Sequence, residues 1–237
     1  MPTDLREHIV RSFDEKLGEL RGLLLRMAEA AEAQVDAACR ALSARDATAA
    51  EAVVAADPAI DRLAQEVEAA AIAMLATRQP VAVDLRTIVA ALKIARDLER
   101  IGDQAKGIAR HTAALAALPQ IPSPNGWAGL TGRVQEVLRL ALASLRRGDP
   151  QAARQAWAAD EPVDAVYNGL VRELLTHMME DTRSIGAGTH LLFAAKNLER
   201  IGDHATNIAE AVHYAEAGDP LPLDRPRGED LPDTPAG

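Results

Sequence analysis

The sequence contains one long segment twice, and the second copy starts a hundred residues after the first. LKIARDLERIGDQAKGIAR occupies residues 92–110, and LFAAKNLERIGDHATNIAE occupies residues 192–210. Eleven of the 19 aligned positions are identical, whereas about one would match by chance at ordinary residue frequencies. Similarity at a fixed spacing indicates a tandem duplication, so we expect two copies of one folding unit.

The duplication extends upstream of these segments in the same order. RDATAAEAVVAAD, which ends at Asp57, aligns with GDPQAARQAWAAD, which ends at Asp160. DLRTI begins at Asp84, and its counterpart DTRSI begins at Asp181. The repeated unit is therefore a whole domain and not a single motif.

Composition and periodicity predict that both copies are helical. Aromatic residues make up 3% of the chain, and alanine, leucine, glutamate and arginine are abundant, a mixture that favours helix over strand. Short connections between helices indicate antiparallel neighbours, so we predict an elongated all-α chain made of two three-helix bundles. The six main helices are predicted at residues 4–45, 58–78, 81–111, 130–147, 161–181 and 188–217, with a short helical piece before Asp57.

The breaks between these helices divide the chain into four parts. The first repeat spans residues 1–117, and a linker with three prolines and two glycines spans residues 118–129. The second repeat spans residues 130–217. Residues 218–237 hold five of the thirteen prolines and many charges, so we expect a flexible acidic tail.

Charge and cysteine content exclude several classes of protein. The net charge is -9 and the sequence pI is near 5.2, which argues against binding to a nucleic-acid backbone. The single Cys39 excludes an internal disulfide and fits a reducing compartment. The sequence has no apolar signal segment and no apolar stretch long enough for a bilayer, so we expect a soluble, cytoplasmic protein.

Two acidic residues in the repeated segment are not explained by packing. Glu99 and Asp103 lie four positions apart, so they stack on one helix face, roughly opposite the predicted core stripe. Glu199 and Asp203 repeat this arrangement, although a like-charged pair at this spacing is unfavourable by about 0.2–0.5 kcal/mol. They could form a solvated ion-pair face with neighbouring arginines and lysines, or a site for a hard cation.

Two further carboxylate pairs have the same spacing. Asp57 and Asp61 open the second predicted helix of the first repeat, and Asp160 and Asp164 open its counterpart. One aspartate of each pair could simply cap its helix. If the second and third helices pack side by side, each bundle would instead gather four carboxylates on its surface.

The repeated residues also resemble a known family. LERIGD occurs twice, and RQPVAVDLRTI and LLTHMMEDTRSI stand at matching places ahead of it. Together with the opening HIVRSFDEKLGELR, these segments closely resemble the PhoU family, and the similarity covers residues 5–217. The resemblance implies two similar three-helix bundles, usually dimeric, and a role without chemistry.

The resemblance also implies partners. PhoU-like proteins act with the ATPase subunit of the phosphate-specific ABC transporter and with its sensor histidine kinase. They restrain transport and keep the phosphate-starvation response off when phosphate is ample. The chain would then be a homodimeric adaptor that meets the membrane at most peripherally, through these partners.

A metal site is implied by the same family. Some members carry multinuclear metal clusters on Glu/Asp-x-x-x-Asp motifs, and all four such motifs are intact here. The ions would be iron, zinc, manganese or magnesium, and no organic cofactor or catalytic residue is implied. The ligands carried over are Asp57, Asp61, Glu99, Asp103, Asp160, Asp164, Glu199 and Asp203.

Two other classes of function stay open. A carboxylate-bridged metalloenzyme could use the same acidic residues, but the sequence has neither HExxH nor GxxxxGK[ST]. An amphipathic protein that coats lipid would carry lysine-rich polar faces, whereas the polar faces here are acidic.

Overall fold

A computed structural model of the chain is all-α in the part that it describes, which is residues 3–77, 83–121, 126–159 and 161–222. The predicted tail beyond Pro222 lies outside these ranges. Within them there are eight α-helices, one 3₁₀ turn at Thr182–Ser184 and no strand. The α-helices are α1 Thr3–Ala44, α2 Ala47–Ala56, α3 Pro58–Thr77, α4 Val83–Ala116, α5 Gly126–Arg147, α6 Pro150–Ala158, α7 Glu161–Glu180 and α8 Ile185–Ala217.

Both repeats turn from their first helix into the next short helix in the same way. Arg45 and Gly148 occupy equivalent positions and have positive φ angles of 51° and 64°, which end α1 and α5. The next residue caps the short helix: Asp46 accepts a hydrogen bond from the backbone N of Ala49 at 3.0 Å. Asp149 accepts from two backbone amides of α6 at 2.9 and 3.2 Å. The duplication therefore preserves local capping as well as sequence.

The six predicted main helices are present, and three of their bounds differ by three or more residues. One is the start of α8, which is Ile185 and not residue 188. The helix α5 begins at Gly126 and not near 130, because Trp127 is buried against the second repeat and extends the helix into the predicted linker. The helix α4 continues past His111 to Ala116, because Thr112 and Leu115 are buried and add a further packed turn. The short helix α6 is the counterpart of the predicted helical piece that forms α2.

The two bundles pack side by side along their equivalent helices α4 and α8. These helices run antiparallel, since Asp97 early in α4 contacts His204 late in α8, and His111 contacts His190. The predicted core stripe is confirmed: all of its members in the LERIGD motifs are fully buried. They are Leu98, Ile101, Leu198 and Ile201.

No helix in the described ranges is both long enough and apolar enough to span a bilayer.

The histidine pair between the bundles is expected to make stability depend on pH. The Nδ1 atoms of His111 and His190 lie 3.1 Å apart, and the ring of Phe193 stacks on His111. Burial, and secondarily the neighbouring His190, lowers the pKa of His111 in the folded state. As the pH falls below the ordinary histidine pKa of about 6.5, the unfolded chain binds more protons, so stability is lost.

Thermal unfolding between pH 7.5 and pH 5.5 tests this expectation. The melting temperature of the wild type should fall over this range, and the fall should be smaller in His111→Gln. His177→Gln, on α7, is the matched control and should retain the wild-type dependence. An equal fall in His111→Gln and the wild type would contradict the assignment.

Candidate metal centre

The structure places seven of the eight predicted ligands on two pairs of helices. Asp57 joins α2 to α3, and Asp61 lies in the first turn of α3. Glu99 and Asp103 lie in the middle of α4. In the second repeat, Asp164 lies on α7, and Glu199 and Asp203 lie on α8. Asp160 lies outside the described residues.

Asp57 is buried, which corrects the expectation that the carboxylates of each repeat face solvent. The residue is 3% exposed. One of its carboxylate oxygens accepts a hydrogen bond from Gln34 Nε2 on α1 at 3.3 Å, and the other accepts from Lys106 Nζ on α4. Its side chain therefore links three helices of the first bundle, in addition to any role at the start of α3.

Lys106 is the cation of this cluster. Its ammonium donates to Asp57 and also lies 3.4 Å from Asp103 Oδ1. The hydrogen bond to Asp57 raises the pKa of Lys106 above its ordinary value, so the ammonium stays charged at neutral pH. The first repeat therefore neutralises its most buried carboxylate from within the chain.

Gly102 explains why α4 can approach Asp57 so closely. A Cβ atom at this position would lie 3.1 Å from Gln34 Oε1 and 3.1 Å from Ile60 Cδ1, and 3.6 Å from Asp57 Oδ1. Even the first carbon of a side chain would therefore require its neighbours to shift by a few tenths of an ångström. The glycine of the first LERIGD motif thus fits the close packing of α4 against α1 and α3.

The other acidic residues of the first repeat are more accessible. Asp61 and Glu99 are partly exposed. Arg100 Nη1 lies 3.3 Å from Asp103 Oδ2 on the same helix. This contact is one of the ion pairs that the solvated-face interpretation allowed, an exposed interaction of small energetic value.

Glu199 is a largely buried carboxylate of the second repeat. Its side chain is 13% exposed, and Oε1 accepts from Lys196 Nζ at 2.7 Å. Its Oε2 is buried and meets no hydrogen-bond donor among the described residues. Burial raises the pKa of Glu199, and the nearby carboxylates of Asp203 and Asp164 raise it further.

Lys196, the partner of Glu199, approaches from the solvent side. Its side chain is 43% exposed, and its Nζ lies 5.4 Å from the centre of the Tyr167 ring. A cation–π contact and one exposed ion pair hold this lysine. It is therefore less firmly placed than Lys106, whose side chain is 23% exposed.

The two repeats differ in how well they fit the metal that the resemblance implies. In the second repeat, Glu199 Oε2 is buried without a donor, which suits a hard cation, and Asp164 and Asp203 are close enough to raise the pKa of Glu199. In the first repeat, the ammonium of Lys106 already lies between Asp57 and Asp103, so the residues do not fit a metal there. Within the described residues, no three Asp, Glu, His or Cys side chains converge on one point.

Lys106 and Gln34, the two polar partners of Asp57, were not among the predicted site residues. The signal that could have revealed Lys106 is a difference between the repeats, since the motif continues as LERIGDQAK in one and LERIGDHAT in the other. Gln34 aligns with Val137 when the first helices are matched through Asp57 and Asp160. Both differences become informative only when Asp57 is known to be buried.

His204 has a structural role that the sequence did not predict. Its Nδ1 lies 2.9 Å from Asp97 Oδ1, and Asn207 Nδ2 donates to the same oxygen at 3.3 Å. This cluster ties α8 to α4 and therefore joins the two bundles.

Comparison with known proteins gives matches along most of the chain. The family model described as PhoU domain matches residues 24–112 and 129–212. A protein of Caulobacter vibrioides named phosphate-specific transport system accessory protein PhoU homolog is 46% identical over 224 residues, which cover 94% of this chain and 97% of the relative. A homologue of the same name from Xylella fastidiosa is 44% identical over 221 residues, with 93% of each chain covered.

Solved structures agree with these matches. The crystal structure of PhoU from Pseudomonas aeruginosa superimposes with a TM-score of 0.85 at 37% sequence identity, covering 87% of this chain and 100% of the other. The phosphate transport system regulatory protein PhoU from Streptococcus pneumoniae superimposes with a TM-score of 0.81 at 28% identity, covering 89% and 100%. The fold and the repeat arrangement are therefore shared over nearly the whole described chain.

Proposed function

Because the chain belongs to the PhoU family of phosphate-transport accessory proteins, we propose that it is an adaptor between the ATPase subunit of a phosphate-specific ABC transporter and a phosphate-sensing histidine kinase. It restrains uptake and keeps the starvation response off when phosphate is ample. The observation that carries this proposal is the end-to-end match to proteins named as accessory to the phosphate-specific transport system. We assign it a regulatory role and no catalytic residue.

An adaptor needs surfaces for its partners, and exposed apolar side chains supply candidates at the tips of two helix pairs. The first tip is formed where α3 ends and α4 begins, and Ile72 there is 54% exposed. Large apolar side chains exposed together mark interaction surfaces more often than single ones do. The first tip consists of Ile72, Leu75, Val83 and Leu85.

The second repeat carries a similar surface at the equivalent place, between the end of α7 and the start of α8. Met179 there is 85% exposed, and Leu175 aligns with Ile72 of the first tip. Since α4 and α8 are antiparallel, the two tips lie at opposite ends of the molecule. The second tip consists of Leu175, Met179 and Ile185. Two separated tips suit a protein that contacts two partners at once.

Cation binding belongs to the proposal for the second repeat. Glu199, Asp203 and Asp164, with Asp160 carried over from the family, would hold an ion of iron, zinc, manganese or magnesium. A bound cation would supply positive charge to a buried carboxylate surface. Lys196 would hold Glu199 in place through their ion pair, and burial would keep Glu199 Oε2 away from water.

The remaining parts of the proposal concern assembly and location. We propose that the chain works in the cytoplasm as a homodimer and reaches the membrane only through its partners. Its formal charge of -9 favours basic surfaces on those partners. Such complementarity affects the encounter rate and the choice of partner more than it affects affinity.

Co-purification from cells grown in ample phosphate tests the adaptor role. The tagged chain should retain the transporter ATPase, the kinase or both, identified by mass spectrometry. Ile72→Glu and Met179→Glu should each reduce recovery of one partner by about tenfold or more, because a charge would be buried in an apolar contact. The helical content of both variants should match the wild type.

Ala52→Glu is the matched control, because it adds the same charge at an exposed position of α2 away from both tips. It should leave recovery of both partners unchanged. If the two tip variants retain both partners as the wild type does, the tips are not the docking surfaces. If the wild type recovers neither partner, the adaptor proposal fails.

A further inference from the structure

We infer that Lys106 is the resident cation of the first repeat, so that the chain binds metal through its second repeat only. The inference rests on the proposed cation site for the second repeat, and on side-chain geometry alone for the first. The two halves of the duplicated chain would then hold chemically different sites with the same carboxylate motif.

The first observation is the place of the ammonium. Lys106 Nζ donates to Asp57, which is almost completely buried, and lies 3.4 Å from Asp103 Oδ1. A metal bridging these two carboxylates would occupy the same space as the ammonium. Two cations at such a separation repel each other strongly inside a protein, so one excludes the other.

The second observation is that Gln34 completes the surroundings of Asp57. Its Nε2 donates to Asp57 Oδ1 and to the backbone oxygen of Val53, both at 3.3 Å. Asp57 therefore has hydrogen-bond donors on both carboxylate oxygens. Because both oxygens of Asp57 already accept hydrogen bonds, binding a metal would add little free energy. The metal would first have to displace Gln34 or Lys106 from the carboxylate.

The third observation is that both partners of Asp57 are absent at the aligned positions of the second repeat. Gln34 aligns with the buried Val137, and Lys106 aligns with Thr206. The hydroxyl of Thr206 donates to the carbonyl oxygen of Gly202 in its own helix at 2.7 Å, so it adds no charge to the site. The acidic motif is kept in both repeats, whereas the lysine at position 106 is replaced by threonine at the aligned position 206.

Two cations of α8 beside Glu199 are more exposed than Lys106. Lys196 pairs with Glu199, and its side chain is 43% exposed, compared with 23% for Lys106. Arg200, the counterpart of Arg100, is exposed. An arriving ion can displace an exposed lysine into water at small cost, whereas displacing Lys106 would leave its ammonium beside a metal.

Metal counting on four variants tests the inference. The purified full-length chain is stripped with chelator, incubated with Mn²⁺, passed through gel filtration and analysed by mass spectrometry of the element. Lys106→Thr, which copies the residue of the second repeat, should gain about one ion per chain relative to the wild type. Asp103→Asn should remove that gain in the Lys106→Thr background and leave the metal content of the wild type unchanged.

A second readout covers the case in which Lys106→Thr folds poorly. Without metal, this variant should melt about 5–10 °C below the wild type, because Asp57 loses its counterion. Mn²⁺ should restore part of that loss, which a merely structural lysine would not predict. Lys106→Gln keeps most of the side-chain length and should behave in the same way, with unchanged helical content before heating.

Two results would overturn the inference. One is an equal number of Mn²⁺ ions in Lys106→Thr and the wild type. The other is loss of metal from the wild type on Asp103→Asn to the same extent as on Asp203→Asn. If the second repeat does not bind Mn²⁺, Asp203→Asn will leave the metal content of the wild type unchanged. The metal content of Lys106→Thr relative to the wild type would still decide the role of Lys106.

Discussion

Replacing Asp57 by alanine is expected to lower the free energy of unfolding by about 3 kcal/mol at neutral pH, since the change leaves a partly buried ammonium without a partner. Lys106 is charged over the whole neutral range, and Gln34 would lose an acceptor at the same time. Removing one partner of a buried ion pair costs about 3–5 kcal/mol, and we use the lower value because Lys106 keeps some contact with water. Urea titration followed by circular dichroism measures the effect.

Two comparisons identify the cause of that loss. Asp61→Ala removes a carboxylate of the same motif from a partly exposed position, and it should cost less than about 1 kcal/mol. The double variant Asp57→Leu with Lys106→Met should recover much of the stability lost in Asp57→Ala, because no charge is then left buried. If Asp57→Ala and Asp61→Ala have equal effects, the ion pair with Lys106 does not stabilise the fold.

Replacing Gly102 by valine is expected to cost about 2–3 kcal/mol through overpacking. The first added carbon alone would lie 3.1 Å from atoms of Gln34 and Ile60. Valine carries two further methyl groups beyond that carbon, so we expect α4 to shift away from α1 and α3. The shift would also separate Lys106 from Asp57, and the melting temperature should fall by about 4–12 °C.

The matched control for this change is Gly132→Val on α5. A Cβ atom at Gly132 would meet no atom within 4 Å. Glycine and valine differ little in helix propensity, so this variant should unfold within about 0.5 kcal/mol of the wild type. Equal losses in the two variants would mean that the glycine of LERIGD is not required by packing.

The fold could be predicted from the sequence because its signals are periodic and occur twice. The apolar stripe through Leu98 and Ile101 identified the buried face of α4, and the same stripe in α8 confirmed it independently. Prolines located the start of α3. The beginning of α5 could not be predicted, because GWAG has the composition of a loop and only the burial of Trp127 in the folded chain makes it helical.

The candidate site was less predictable, because burial depends on distant parts of the chain. The spacing of Asp57 and Asp61 places them on one helix but says nothing about what packs against them. Asp57 is buried because Gly102 and Gln34 approach it from two other helices. Identical residues are what reveal the repeats in the sequence. The partner of Asp57, Lys106, lies at a position where the repeats differ.

The antiparallel contact of α4 with α8 gives the molecule the form of a symmetric pair whose halves are covalently joined. In a pair of separate identical chains, a mutation in one partner necessarily appears in the other. A fused pair is free of that constraint, so the two halves can carry different residues at equivalent positions. The contact between α4 and α8 still fixes how the halves pack together. Lysine at 106, where the second repeat has threonine at the aligned position 206, is one product of that freedom, as is histidine at 111 where its counterpart is Ala211.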